Sequence, residues 1–267
     1  MIVITPIRTE DLEAIREFQP EGWGDIVELF IYNIQCSFCY PIKMSIEGRM
    51  VAVGNTVLYK DTAWLSQIIV HPEHRNRGLG KAMTQELIDQ IDHQQYKTIL
   101  LDATSLGYPV YQKLGFETIS EHLHFSAHET ESAFEKSGSI ISTYDRDHEN
   151  IFQLDKLATG EQREKKLMEN LHEAWIYSSN RQLQGIYFPT LGKGLIIAQQ
   201  PDAGIELMKC RMNTNKSSML PAENKPAIDF LLSNGWTQIR MSRRMKLGRM
   251  IAWKPGYIYN VISGAFG

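Results

Sequence analysis

The stretch HRNRGLGKAM, residues 74–83, sets two arginines, a lysine and two glycines within ten positions. It follows the apolar run LSQIIV (65–70) and opens a segment of helical rhythm, in which Leu79, Ala82, Met83, Leu87, Ile88 and Ile91 recur at three- and four-residue spacing. A strand therefore runs into a helix through a loop of bare backbone and positive charge. Gly78 and Gly80, lacking side chains, let backbone N–H groups converge, and the helix N-terminus adds partial positive charge. Arg75, Arg77 and Lys81 bring full charges to the same point. A phosphate or pyrophosphate fits that description.

The surroundings narrow the choice. Strand-like runs at 42–46, 50–59 and 63–70, joined by EGR and KDT, read as an antiparallel meander upstream of the loop. A P-loop needs glycine five places before the Gly-Lys pair and Ser or Thr after it, but Arg75 and Ala82 stand there. The dinucleotide fingerprint needs a third small residue where Met83 sits, and a βαβ unit that hairpins do not supply. The opening, ITPIRTEDLEAIREFQ (4–19), reads as a strand and a helix capped by Thr9, and Ile26, Leu29, Phe30 and Asn33 suggest a second helix. Downstream, KTILLDAT (97–104) is a buried strand, PVYQKLGF (109–116) a short helix and ETISEHLHF (117–125) another strand. The first half thus reads β-α-α-β-β-β-α-β-α-β.

RNRGLG is Arg-x-x-Gly-x-Gly, and it resembles the acyl-CoA pyrophosphate signature of the GNAT superfamily of N-acyltransferases. LSQIIVHPEHRNRGLGKAM (65–83) resembles that family's whole strand-loop-helix, and LLDATSLGYPVYQKLGFE (100–117) its downstream strand and Tyr-x-x-x-Gly-Phe helix. The resemblance runs from about Ile2 to Phe125. It implies acetyl-CoA as cofactor, held by Arg75, Asn76, Arg77, Gly78, Leu79, Gly80 and Lys81 at the pyrophosphate. It also implies main-chain groups of Ile68, Ile69 and Val70 along the pantetheine arm, where the strand splays from its neighbour. Thr104 stands where relatives often carry an asparagine that contacts pantetheine. Tyr111 takes the family's general-acid position, protonating the departing thiolate, and a main-chain N–H of the splayed strand polarises the thioester carbonyl. Many relatives carry a glutamate on the central strand, but Ser66 and Gln67 stand here. Asp102, His71 or a water-linked carboxylate are the alternatives, and no base is assigned.

A second round follows a polar segment, AHETESAFEKSGS (127–139), read as linker or loop. Residues 141–174 repeat the strand-then-helix opening, GIYFPTLGKGLIIAQ (185–199) offers two strands, and AIDFLLSNGWTQIRMSRRM (227–245) echoes YPVYQKLGFETISEHLHF (108–125). The fold expected is α/β (α+β): two GNAT-like domains, each a mixed, mostly antiparallel twisted sheet flanked by helices. Residues 1–128 form the catalytic domain and 140–267 a degenerate accessory domain, as in tandem members of the family. IIAQQPDAGIELM (196–208) takes the place of the loop without an arginine, and Leu231 stands where the first half has Tyr111, so a second acyl-CoA site is not expected. Asp155, Gly160 and Arg163 resemble a signature of such second domains and suit an internal salt bridge at least as well as a substrate contact. RMSRRMKLGR (240–249), with five basic residues in ten, reads as a strand with one solvated face.

The chain has 267 residues, 43% hydrophobic and 22% charged, and a formal net charge of −3, which gives no reason to expect a polyanion-binding surface or nucleic acid as partner. Acidic residues arrive too early for a signal peptide, and no run approaches the roughly 20 apolar residues of a membrane span. Cys36, Cys39 and Cys210 favour a reducing cytoplasm. The Cys36–Cys39 pair lacks the two further ligands of a structural zinc site, so packed thiols and no metal are expected. The function expected is acetyl-CoA-dependent N-acetylation of a primary amine on a small molecule or peptide through a direct ternary complex. The rival is a non-catalytic acyl-CoA-binding regulator. A homodimer is compatible with either.

Overall fold

Alternation and helical spacing become real elements in the computed structural model, which describes residues 1–127, 134–144 and 147–267. The linker reading of 127–139 falls, at 128–133, outside the described residues. Contacts divide the chain into two units. The first comprises Met1–Glu117 with Met245–Arg249 and Phe266, and the second comprises Thr118–Arg244, Met250–Ala265 and Gly267.

In the first unit β1 (Ile2–Pro6) leads through two short helical turns and α1 (Leu12–Ile15) to α2 (Ile26–Gln35). Asp25 caps α2, its side chain accepting the Val27 N–H at 2.8 Å, and the apolar face of the helix is buried. Then β2 (Cys39–Ile46), β3 (Arg49–Leu58) and β4 (Thr62–Val70) form the expected meander, and α3 (Leu79–Asp89) and β5 (Thr98–Ala103) follow. The pairing β1-β2-β3-β4 is antiparallel, and β4 pairs with β5 in parallel. After α4 (Tyr108–Lys113), β6 (Glu117–Ser126) begins. Each face of this sheet carries its own core. Ile15, Phe18, Ile26 and Phe30 pack with Val53 and Ile69 on one side, and Met83, Leu87 and Ile88 pack with Leu65, Leu101 and Phe116 on the other. Alternation along β3 and β4 sends neighbouring residues to opposite cores.

The second unit holds β7 (Ile140–Ser142), α5 (His148–Thr159), α6 (Glu164–Met168), β8 (Trp175–Ser179), β9 (Gln182–Phe188) and β10 (Leu195–Ala198). It continues with α7 (Pro201–Met212), β11 (Ser217–Pro221), α8 (Lys225–Ser233), β12 (Thr237–Gly248), whose last residues from Met245 count with the first unit, and β13 (Ile258–Asn260). Strands in the order β13-β10-β9-β8-β7 form one antiparallel sheet. The strand β8 is an element the periodicity did not reveal. Sheets flanked by helices are thus the architecture of both halves, mixed in the first and antiparallel in the sheet of the second. No helix among the described residues is long and apolar enough to cross a membrane.

The basic run at 240–249 does lie on a strand, but its solvated-face reading is corrected. Arg244 is 1% exposed and donates to Glu161 at 3.0 Å, with its guanidinium over the Trp253 ring, and Lys246 is buried and donates to Glu117 at 2.8 Å. The same preference for internal charge pairs governs Asp155 and Arg163. Arg163 Nη2 and Nε donate to the two Asp155 oxygens at 2.6 and 3.1 Å, and Nη1 donates to the Gly267 carbonyl at 2.9 Å. Burial pushes the Asp155 carboxyl upward against the pull of Arg163. Removing one partner strands the other charge in the interior. Asp155→Ala is therefore expected to cost about 3–5 kcal/mol in denaturant unfolding of the full chain; a loss below about 1 kcal/mol would contradict this account of the second unit.

Candidate functional site

The site grows from a defect in β4. Its register against β3 slips between Val53 and Asn55, and at the slip Gln67 adopts a φ of 45°, a left-handed conformation that costs a side-chain-bearing residue energy. On its other edge β4 meets β5 at Thr62–Thr98, Ala63–Ile99 and Trp64–Leu100, and among the described residues the pairing goes no further. Beyond Trp64 the main chain of β4 is therefore an unpaired edge. Ile68 and Val70 direct their side chains to one core and Ile69 to the other, so what these three residues present along that edge is backbone.

The chain then turns through Pro72–His74 and enters the glycine loop. Asn76 and Gly78 both take positive φ, 61° and 77°. Asparagine is among the few side-chain-bearing residues that tolerate this, which gives Asn76 a conformational role. Gly78 caps α3, and a Cβ built there would meet nothing within 4 Å, so the space before the helix is open. The first bond of the helix runs from the Ala82 N–H to the Gly78 carbonyl at 3.0 Å, leaving the N–H groups of Leu79, Gly80 and Lys81 directed out of the helix end. Leu79 anchors the turn in the core, while Arg75, Arg77 and Lys81 are exposed around it, and no acidic residue occupies the first turn of α3. Arg75 Nε donates back to the Val70 carbonyl at 3.3 Å, tying the loop to the end of β4. The structure thus gathers every loop residue singled out from the sequence at one helix terminus.

Tyr111 sits on α4, half-buried, with its ring 6.0 Å from that of Phe116 and so close above Gly107 that an added methyl there would lie 2.7 Å from it. Burial pushes its phenol up to about 12, so the hydroxyl keeps its proton across the whole neutral range. Thr104 Oγ1 accepts the Gly107 N–H at 3.3 Å and holds the turn into α4, leaving its own proton available. Asp102 ends β5, half-buried. His71 packs edge-on against Phe18 at 5.2 Å.

Sequence reading missed the polar chain beneath the bulge. Asn33 Nδ2 donates to Gln67 Oε1 at 3.4 Å, Ser66 Oγ donates to the same oxygen at 2.5 Å, and Asn55 Nδ2 donates to Ser66 Oγ at 3.2 Å. All four residues are buried, and among the described residues the Asn55 Oδ1 atom has no hydrogen-bond partner. The signal was there: Asn33 and Asn55 interrupt otherwise apolar faces of α2 and β3. The chain is neutral throughout and holds no carboxylate.

In the second unit the turn that the sequence pattern sets against the glycine loop has a different build. Only two residues, Gln199 and Gln200, separate β10 from α7, Pro201 opens the helix, and Gly204 lies directly against the Tyr259 ring. Leu231, in Tyr111's place, is wholly buried.

With this geometry in view, the comparisons are specific. Residues 41–127 match the model described as acetyltransferase (GNAT) domain. The uncharacterized N-acetyltransferase YitH of Bacillus subtilis is 23% identical over 260 residues, 92% of this chain and 91% of that protein. The [ribosomal protein bS18]-alanine N-acetyltransferase of Escherichia coli is 30% identical over 123 residues, 43% of this chain and 81% of that enzyme. Among solved structures, a Pyrococcus horikoshii protein provisionally described as an acetyltransferase superposes with a TM-score of 0.81 at 21% identity, covering 100% of this chain and 96% of that one. A tandem GNAT protein from the clavulanic acid biosynthesis pathway gives 0.63 at 12% identity, covering 93% and 98%. These two structures share the fold of the whole chain.

The open space ahead of α3 gives a direct test. Gly78→Asp places a carboxylate and a strained backbone where an anion is to sit, and the affinity for coenzyme A is expected to fall by roughly a hundredfold or more, on the order of 3 kcal/mol, in calorimetric titration. Unchanged affinity would remove the loop from the cofactor site.

Proposed function

Because the chain belongs to the GNAT family of N-acetyltransferases, we propose that its first unit is the catalytic one. It transfers the acetyl group of acetyl-CoA to a primary amine, on a small molecule or a peptide, by direct attack within a ternary complex. The second unit is an accessory without an acyl-CoA site. The single observation that carries this reading is the pairing of an open, cation-flanked α3 terminus with a β4 edge that has parted from β5.

The residues present fit the cofactor. The N–H groups of Leu79, Gly80 and Lys81, with Arg75, Arg77 and Lys81 around them, would hold a pyrophosphate at the positive end of α3. Main-chain groups of Ile68, Ile69 and Val70 would accept an extended arm as a further strand, with Thr104 at its margin. The cofactor supplies an activated acyl thioester when bound. Tyr111 Oη holds its proton to a pH of about 12 and is the group placed to give it to a departing sulfur. A neutral acid is the right species here, since a thiolate leaves with the negative charge that the proton cancels.

Ser66 and Gln67 stand where many relatives carry a carboxylate, and both are already engaged with Asn33 and Asn55. They orient rather than abstract. The name of the Escherichia coli relative gives a protein α-amine as acceptor, which supports a peptide-borne amine here. An N-terminal amine, with a reference pKa near 8, also delivers its free-base form at neutral pH more readily than a lysine near 10.4.

Three measurements test the proposal. Tyr111→Phe is expected to lower kcat by about 10²–10⁴ while coenzyme A affinity changes little. Because the raised pKa of Tyr111 favours its acid form, kcat/KM of the parent protein should show no falling alkaline limb from this group below about pH 10, two units under its titration near 12. If acetyl-CoA binds, yet no amine in a panel of amines and N-terminal peptides raises thiol release above hydrolysis, the non-catalytic regulator replaces the enzyme.

A further inference from the structure

The turn joining β4 to the glycine loop carries chemistry that the acetyl-transfer reading does not use. It reads His71-Pro72-Glu73-His74, a single 3₁₀ turn with proline in its first position. In such a turn residues three apart eclipse, so His71 and His74 stand on one side, their rings meeting edge to face at 5.8 Å. One ligand atom from each of His71, Glu73 and His74 lies within 4.8 Å of the other two.

A fourth group arrives from elsewhere in the first unit. The Glu17 carboxylate lies 3.5 Å from His71 Nε2. Facing a carboxylate, that nitrogen keeps the ring proton, which leaves the lone pair on Nδ1. The Nδ1 atom indeed faces a donor, accepting the Glu73 N–H at a long 3.3 Å. Phe18, fully buried, holds the imidazole edge-on at 5.2 Å and fixes its plane. A carboxylate on one imidazole nitrogen, with the lone pair of the other held only by a long amide contact that an ion would have to displace, is the outer-partner arrangement that tunes histidine ligands. Two imidazoles and a carboxylate form a set suited to borderline transition ions, whereas magnesium and calcium take all-oxygen sets.

We propose that His71, Glu73 and His74 form a binding site for a divalent transition-metal ion of the zinc class, with Glu17 as the outer partner of His71. Three protein ligands leave a coordination position open, on a turn that is partly solvent-exposed and accessible from outside. The spacing escaped the sequence reading because H-P-E-H lies within one tight turn and its outer carboxylate is 54 positions upstream of His71.

The test uses the full-length, metal-stripped protein and Zn²⁺ as the titrant, with Mg²⁺ as the control. One Zn²⁺ per chain and no Mg²⁺ uptake are expected by calorimetry. Glu17→Gln should weaken Zn²⁺ binding by about 10–100-fold, the usual effect of losing an outer partner, and His74→Gln by at least as much. Co²⁺ should give visible d–d bands without a near-ultraviolet thiolate band, which separates this site from Cys36 and Cys39. Absence of saturable Zn²⁺ binding overturns the proposal. So does binding that is unaffected in His74→Gln and Glu73→Gln proteins whose far-ultraviolet dichroism matches the parent, or binding that is lost in Cys36→Ser.

Discussion

Two parallel strands that part company after three residue pairs set the conditions for everything else in the first unit. Main-chain N–H and C=O groups taken from water need partners, and the separation of β4 from β5 leaves a run of them that no further strand of the described residues pairs at that edge. The bulge at Gln67 bends β4 away, the αL cap at Gly78 turns the chain sharply into α3, and α4 brings Tyr111 from beyond β5. Each device is local: a strand bulge, a left-handed helix cap and a short helix.

Legibility in the sequence followed the range of the interactions. The loop was readable because its constraint is local: glycine where φ is positive, cations around a helix start, and apolar spacing that fixes where the helix begins. The meander was readable from its short turns. The polar chain of Asn33, Gln67, Ser66 and Asn55 was not, since its members come from three elements and Asn33 meets Gln67 across 34 positions. Arg244 and Lys246 were misread for the same reason. Their acidic partners lie 83 and 129 positions away, and within ten residues a buried cation looks like part of a solvated charge run. The parting of β4 and β5 was anticipated only through family resemblance, because no residue type marks a hydrogen bond that is not made.

The second unit spends its polar residues differently from the first. Where the first unit leaves Gly78 open to space, the second closes Gly204 against Tyr259. Where the first holds a half-buried phenol, the second has Leu231 in its core. Its interior contains Asp155 with Arg163 and Glu161 with Arg244, charges that burial makes costly unless each has a well-placed partner. Such pairs tie α5, its following loop and β12 to one another through charge.

The division of the chain also bears on how the molecule comes into being. The first unit is completed by Met245–Arg249, where Arg249 donates to the Lys97 carbonyl at 2.9 Å and Thr98 Oγ1 donates to the Arg249 carbonyl at 2.8 Å. During synthesis the ribosome has made β1 through α4 long before those residues exist. Until then the flank of β5 that receives them is a bare edge, available to any extended segment. Closing it requires the whole of Thr118–Arg244 to be spanned as one long loop. That raises contact order and places the final step of the first unit's folding after translation of nearly the entire chain.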